Sequence, residues 1–94
     1  MSEPKIEIFF SKLCGGCHDA MDYFRDRGLV YESYEVKWGP GGRLADGENE
    51  QELRRRCGDV DFVPQIFIDG KHIGGWRALT ALIENGEIEA LLVP

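Results

Sequence analysis

The sequence predicts an α/β fold: a four-stranded mixed sheet flanked by helices, in the order β-α-β-α-β-β-α. Three observations carry this. Short apolar runs alternate with segments of helical periodicity. The first two runs are separated by such a segment, which requires parallel strands joined by a right-handed crossover. Near the C-terminal end, Asp69-Gly70 lies between two further runs and signals a hairpin, adding antiparallel strands. Such a sheet carries helices on both faces.

Taken in order, Lys5 to Phe10 reads as a strand apolar enough to be buried on both faces, and Ser11-Lys12-Leu13 turns into Cys14-Gly15-Gly16-Cys17. From His18 to Arg27 the chain is helical. Ala20, Met21 and Phe24, continued by Leu29, recur at the spacing of one buried face, with Asp19, Asp22, Arg25 and Asp26 opposite. Arg27-Gly28 ends the helix with a basic last turn and a glycine beyond it. Val30 to Val36 is the second strand. Trp38-Gly39-Pro40-Gly41-Gly42 cannot continue a regular element, so a loop covers residues 38–47. Glu48 to Cys57 is a helix whose acidic start and arginine-rich end match its dipole. Pro64 opens a strand over Gln65 to Ile68, and Lys71 to Gly74 returns antiparallel. Trp76 to Asn85 is a helix with Trp76, Leu79, Leu82 and Ile83 on its apolar side, stopped near Gly86; Ile88 to Val93 gives a short last turn or helix.

Ninety-four residues make a single domain, 1–94, with one modest core. Hydrophobic content of 43% and charged content of 30% are ordinary for a soluble globular chain. A net charge of −6 argues against nucleic-acid and anionic-membrane partners. The tight basic run Arg54-Arg55-Arg56 reads as a solvated helix face. No segment approaches the roughly 20 apolar residues of a membrane span. A strand begins almost at the N-terminus, leaving no room for a signal peptide. Three cysteines, two of them in a C-x-x-C, suit a reducing cytosol, so a cytoplasmic location is expected.

The C-x-x-C falls where a strand-like run gives way to a helix. There the first sulfur lies beside unpaired N–H groups and the positive end of the helix dipole, which favour the nucleophilic thiolate. A structural zinc site lacks ligands, with one further cysteine, Cys57, and two histidines, His18 and His72. A structural disulfide here would close too small a loop to stabilise much. The motif therefore reads as a redox centre, with Cys14 and Cys17 as its catalytic residues and no metal. The Trp38 loop follows the second strand at the same sheet edge, where Trp38 either overhangs the thiols or anchors its own loop. Cys57, at apolar spacing from Leu53, reads as a buried structural thiol, with a regulatory or glutathionylated thiol as the alternative. His18 reads as a solvated helix residue and His72 as an exposed hairpin residue.

Cys14-Gly15-Gly16-Cys17 after the first strand, Val63-Pro64-Gln65-Ile66-Phe67-Ile68-Asp69-Gly70, and His72-Ile73-Gly74-Gly75 together resemble the glutaredoxins, members of the thioredoxin-fold superfamily, over nearly the whole chain. The resemblance implies a thiol–disulfide oxidoreductase that acts on protein disulfides or glutathione mixed disulfides. Glutathione is then its co-substrate, no cofactor is tightly bound, and the chain is a monomer. Cys14 would be the attacking thiolate and Cys17 the resolving thiol. Val63-Pro64 would be a cis peptide facing them, presenting the Val63 backbone to the cysteine of glutathione or of a protein substrate. The glutathione contacts implied are Lys12, Gln51, Val63, Pro64, Gly75, Trp76 and Arg77.

Several positions depart from the family pattern. A basic residue is common at the position of Ser11, which leaves Lys12 one place off register. Threonine is common where Phe62 stands. The Gly-Gly-x-Asp-Asp stretch that holds the γ-glutamyl end reads Gly74-Gly75-Trp76-Arg77-Ala78, which removes a charged partner worth about 1.5–3 kcal/mol to the glutathione ammonium. Gly75-Trp76-Arg77 is similar to the Gly-Phe-Arg of glutaredoxin-like electron donors to ribonucleotide reductase, so thioredoxin reductase is an alternative reductant. Gly15-Gly16 replaces a common Pro-Tyr and predicts a looser, more oxidising motif. The same open spacer permits a second reading, a [2Fe–2S] cluster held between two copies by their first cysteines and two glutathione thiols.

Overall fold

A computed structural model describes residues 3–92. The apolar run forms β1 (Ile6–Phe10), which pairs in parallel with β2 (Tyr31–Glu35), Ile6 opposite Tyr31 and Phe10 opposite Glu35. On its other side β1 pairs antiparallel with β3 (Gln65–Ile68), and β3 with β4 (Lys71–Gly74), giving the order β2-β1-β3-β4. Asp69 and Gly70 turn the hairpin with φ of 52° and 80°, the left-handed pair that an Asp-Gly turn supplies. The predicted mixed sheet and element order are present. The helices are α1 (Gly15–Asp26), α2 (Glu48–Cys57), α3 (Trp76–Glu84) and a short α4 (Ile88–Leu92). Residue 93, included in the expected last element, lies outside the described residues. Among the described residues no helix is long and apolar enough to cross a membrane.

Strand alternation divides the core between the two faces. Ile6, Ile8, Ile66 and Ile68 meet Ala20, Met21 and Phe24 of α1, Leu79 of α3, and Ile88 and Leu92 of α4. Phe9 and Phe67 turn the other way, to Val36, Leu44 and Leu53 of α2. Trp38 is half-buried against this second cluster and bridges to Leu44, so it anchors the 38–47 loop, where Pro40–Gly42 forms a 3-10 turn.

The second face also corrects the reading of the basic run. Glu7 lies in β1 at 3% exposure, and a buried carboxylate is costly unless paired. Arg56 pairs it, with two nitrogens 2.9 and 3.0 Å from its oxygens. Arg54 also turns in, donating to the Leu44 carbonyl at 2.6 Å, and only Arg55 remains largely in solvent.

Candidate active site

The turn leaving β1 is closed by the Cys14 N–H, which donates to the Ser11 carbonyl at 3.2 Å. Cys14 is then the N-cap of α1, with φ −97° and ψ 109°, and its Sγ accepts the Cys17 N–H at 3.0 Å. The helix therefore begins at Gly15 rather than His18, and Gly15-Gly16-Cys17 form its first turn. A sulfur can cap as an oxygen does, a role the sequence pattern did not reveal. His18 Nε2–H donates to the Lys12 carbonyl at 2.7 Å, so this exposed ring ties the turn to the helix.

Cys14 and Cys17 are joined as a disulfide with Cα atoms 5.2 Å apart. The two sulfurs are not equivalent. Cys17 is at 0% exposure within the larger core cluster, whereas Cys14 is only partly buried at its edge. Once reduced, a negative charge on Cys14 Sγ sits at the positive end of α1 and against an amide donor, and both favour its thiolate.

The facing wall comes from the segment entering β3. Val63-Pro64 is cis, and the Val63 carbonyl oxygen lies 3.4 Å from Cys14 Sγ. Close approaches lock this wall to the helices. A Cβ on Gly16 would lie 3.2 Å from Trp76 Cβ and 3.7 Å from Pro64 Cδ. One on Gly75, the N-cap of α3, would lie 2.8 Å from Phe62 Cε2 and 3.4 Å from the Pro64 carbonyl oxygen.

Of the residues singled out in the sequence, Cys14, Cys17, Val63, Pro64, Gly75 and Trp76 thus converge. Arg77 is exposed one position further along α3. Lys12 is exposed and 4.0 Å from Glu35 Oε2. The Gln51 amide donates to the Asp46 carbonyl at 2.7 Å, clasping the loop before α2. Two residues that adjoin Cys14 and Val63 in the chain escaped the sequence reading of the site. Leu13 is 98% exposed, and Phe62, noted only as a departure, is 52% exposed with its ring on Gly75. The available signal was a large apolar residue immediately before Cys14 and another immediately before Val63.

Elsewhere, Cys57 is a half-buried free thiol that donates to the Leu53 carbonyl, and burial pushes its pKa up. His72 is exposed as expected, yet it bonds the Gln65 side chain at 2.8 Å and stacks on Phe67. Among the described residues no three His, Cys, Asp or Glu side chains converge on a common metal position.

A cysteine pair at the first turn of a helix, set against a cis-proline beside a mixed sheet, defines a thioredoxin-fold thiol–disulfide oxidoreductase. Within that class the chain belongs to the glutaredoxin family, whose model matches residues 6–73. It is 32% identical over 90 residues to a probable glutaredoxin of Synechocystis sp., covering 94% of this chain and 92% of that one. It is 32% identical over 87 residues to glutaredoxin 3 of Escherichia coli K12, covering 93% of this chain and 95% of the relative. The crystal structure of a buckwheat glutaredoxin–glutathione complex superposes with a TM-score of 0.73 at 28% identity, over 95% of this chain and 76% of that one.

Proposed function

We propose that the protein reduces protein disulfides and glutathione mixed disulfides in the cytoplasm, with Cys14 as nucleophile and Cys17 as resolving thiol. The asymmetry of the pair carries this reading: an accessible sulfur at a helix N-terminus, and a second sulfur buried behind it. The Cys14 thiolate attacks one sulfur of the substrate disulfide. A bond forms between them as the substrate S–S bond breaks, and the departing thiolate takes the electron pair and then a proton. Cys17, deprotonated in turn, attacks Cys14 Sγ, forming the Cys14–Cys17 disulfide and expelling the second substrate thiolate. Two protein thiols are oxidised and one substrate disulfide is reduced.

Two glutathione thiols then supply the two electrons that reopen the pair, a role supported by the buckwheat relative's complex with glutathione. The Val63 backbone aligns the substrate cysteine, Pro64, Gly75 and Trp76 form the wall beside it, and Lys12 takes a substrate carboxylate. Gln51 contributes only by releasing the Asp46 carbonyl.

The test is turnover of a protein disulfide and of a glutathionylated protein, with glutathione and glutathione reductase as the electron supply. Cys14→Ser should fall to background on both substrates. Cys17→Ser should lose protein-disulfide reduction while retaining deglutathionylation, because a second glutathione can resolve the mixed disulfide. Turnover by Cys14→Ser would overturn the mechanism. Fast turnover with thioredoxin reductase alone would replace glutathione as the reductant.

A further inference from the structure

We propose that the rim of the site selects a disulfide borne on an extended polypeptide with apolar, uncharged residues beside the cysteine, in preference to the disulfide of glutathione. This rests on Cys14 being the nucleophile and names the substrate class it serves. Formation of the mixed disulfide brings the partner's sulfur to about 2 Å from Cys14 Sγ. An extended chain advances only about 3.3 Å per residue, so the residues flanking the partner's cysteine must lie over whatever surrounds Cys14.

The chain neighbours of the two residues in contact there are apolar and uncovered. Leu13, immediately before Cys14, is 98% exposed. Phe62, immediately before the Val63 whose carbonyl touches Cys14 Sγ, is 52% exposed. Single exposed apolar side chains are ordinary. Here two of the three large ones among the described residues adjoin the two residues in contact at the redox sulfur. Trp76, half-buried against Gly16, continues the apolar surface behind them.

The same residues work against glutathione. It has no apolar side chain to place on Leu13 or Phe62, so it gains nothing from their burial. The Phe62 ring lies directly on Gly75, so close that a Cβ there would be 2.8 Å from Cε2, and it covers the N-cap of α3. The next exposed side chain on that helix is the Arg77 cation, which repels the ammonium of the γ-glutamyl arm. Arg77 likewise disfavours lysine or arginine beside the partner's cysteine, whereas the Lys12 charge on the Leu13 side is paired with Glu35 at 4.0 Å.

The test follows oxidation of the reduced full chain by stopped flow with four disulfides. These are the symmetric disulfide of acetyl-Gly-Leu-Cys-Leu-Gly-amide, its counterpart with asparagine for leucine, oxidised glutathione, and 2-hydroxyethyl disulfide, which has no flanking residues. The leucine peptide should react about tenfold faster than the asparagine peptide and than oxidised glutathione. In Leu13→Ser/Phe62→Thr the leucine-to-asparagine ratio should fall to roughly one, a comparison within one variant that cancels any shared loss. Arg77→Asp should raise oxidised glutathione relative to the asparagine peptide by roughly fivefold. Equal rates for the two peptides, or glutathione fastest of the three, would overturn the proposal while leaving Cys14 as nucleophile. No reaction even with 2-hydroxyethyl disulfide would overturn both.

Discussion

Gly15 and Gly16 are interchangeable as letters, and the structure separates them. At Gly15 an added Cβ would meet nothing within 4 Å, whereas at Gly16 it would press on Trp76. Gly15 is the first residue of α1, where the backbone N–H has no partner within the helix and proline fits. Cys14 is already extended, as a residue before proline must be. Gly15→Pro should therefore stabilise the fold by about 0.4–1 kcal/mol, through the unfolded chain it restricts. Where that gain falls on the closed disulfide, the pair becomes harder to reduce, by roughly 10–20 mV toward more negative potential. Thermal unfolding and a glutathione redox titration measure the two effects. A variant that melts lower, or has a less negative potential, contradicts this account of the spacer. The spacer's identity was legible in the sequence. That only its second glycine is closely packed was not, because Trp76 lies far along the chain.

Between elements, the largest surprise is the link from β1 to α2. The sequence read Arg54 to Arg56 as solvated because a helix pattern reports charge without naming partners. Arg56's partner Glu7 is 49 residues away, on the strand face opposite Ile6 and Ile8. The guanidinium is also held over the rings of Phe9 and Phe67, 5.6 and 5.2 Å from their centroids. Its hydrogen bonds hold the Glu7 carboxyl below the ordinary carboxylate range, with Tyr34 assisting and desolvation opposing. A carboxylate whose folded pKa is lowered contributes stability fully present above its ordinary value, 4.5, and lost as pH falls through the folded value. The urea midpoint of the wild type should thus drop more between pH 7 and pH 3 than that of Glu7→Gln. At pH 7, Glu7→Gln should cost about 1.5–3 kcal/mol, because Arg56 loses its charged partner in the sheet and keeps only Glu52, 2.7 Å from its Nε. Glu7→Leu/Arg56→Met should recover much of that loss; a double variant as unstable as the two single changes added together would show that the pair is not the unit.

For the molecule as a whole, topology was legible because it follows from local signals: a helix between two strand runs, a capped helix end, and a hairpin dipeptide. The cysteine pair was legible for the same reason. The rim was not, since Cys14 with its neighbour Leu13 faces Val63 with its neighbour Phe62 only because β3 pairs beside β1 and brings the cis-proline segment to the start of α1. That layering also leaves the two faces unequal. One face buries contributions from α1, α3 and α4, while α2 buries only Glu50 and Leu53. The start of α2 is held by polar groups: Glu50 accepts the Lys37 N–H at 2.6 Å, and Asn49 donates to the Glu35 carbonyl at 2.7 Å. Detaching α2 therefore leaves the larger core intact, and its amides should exchange through a local opening that costs less than global unfolding. Ile8→Val, in the larger core, should destabilise the folded and the α2-open states alike, by about 0.5–1.5 kcal/mol relative to the unfolded chain. Amides of β1 and β3 should then exchange roughly fivefold faster while those of α2 keep their rate, for a cost of about 1 kcal/mol. Leu53→Ala removes packing that exists only when α2 is docked, so it should speed α2 and strand amides together. If Ile8→Val instead accelerates α2 as much as β3, α2 opens only with the whole fold, and the two faces are one cooperative unit.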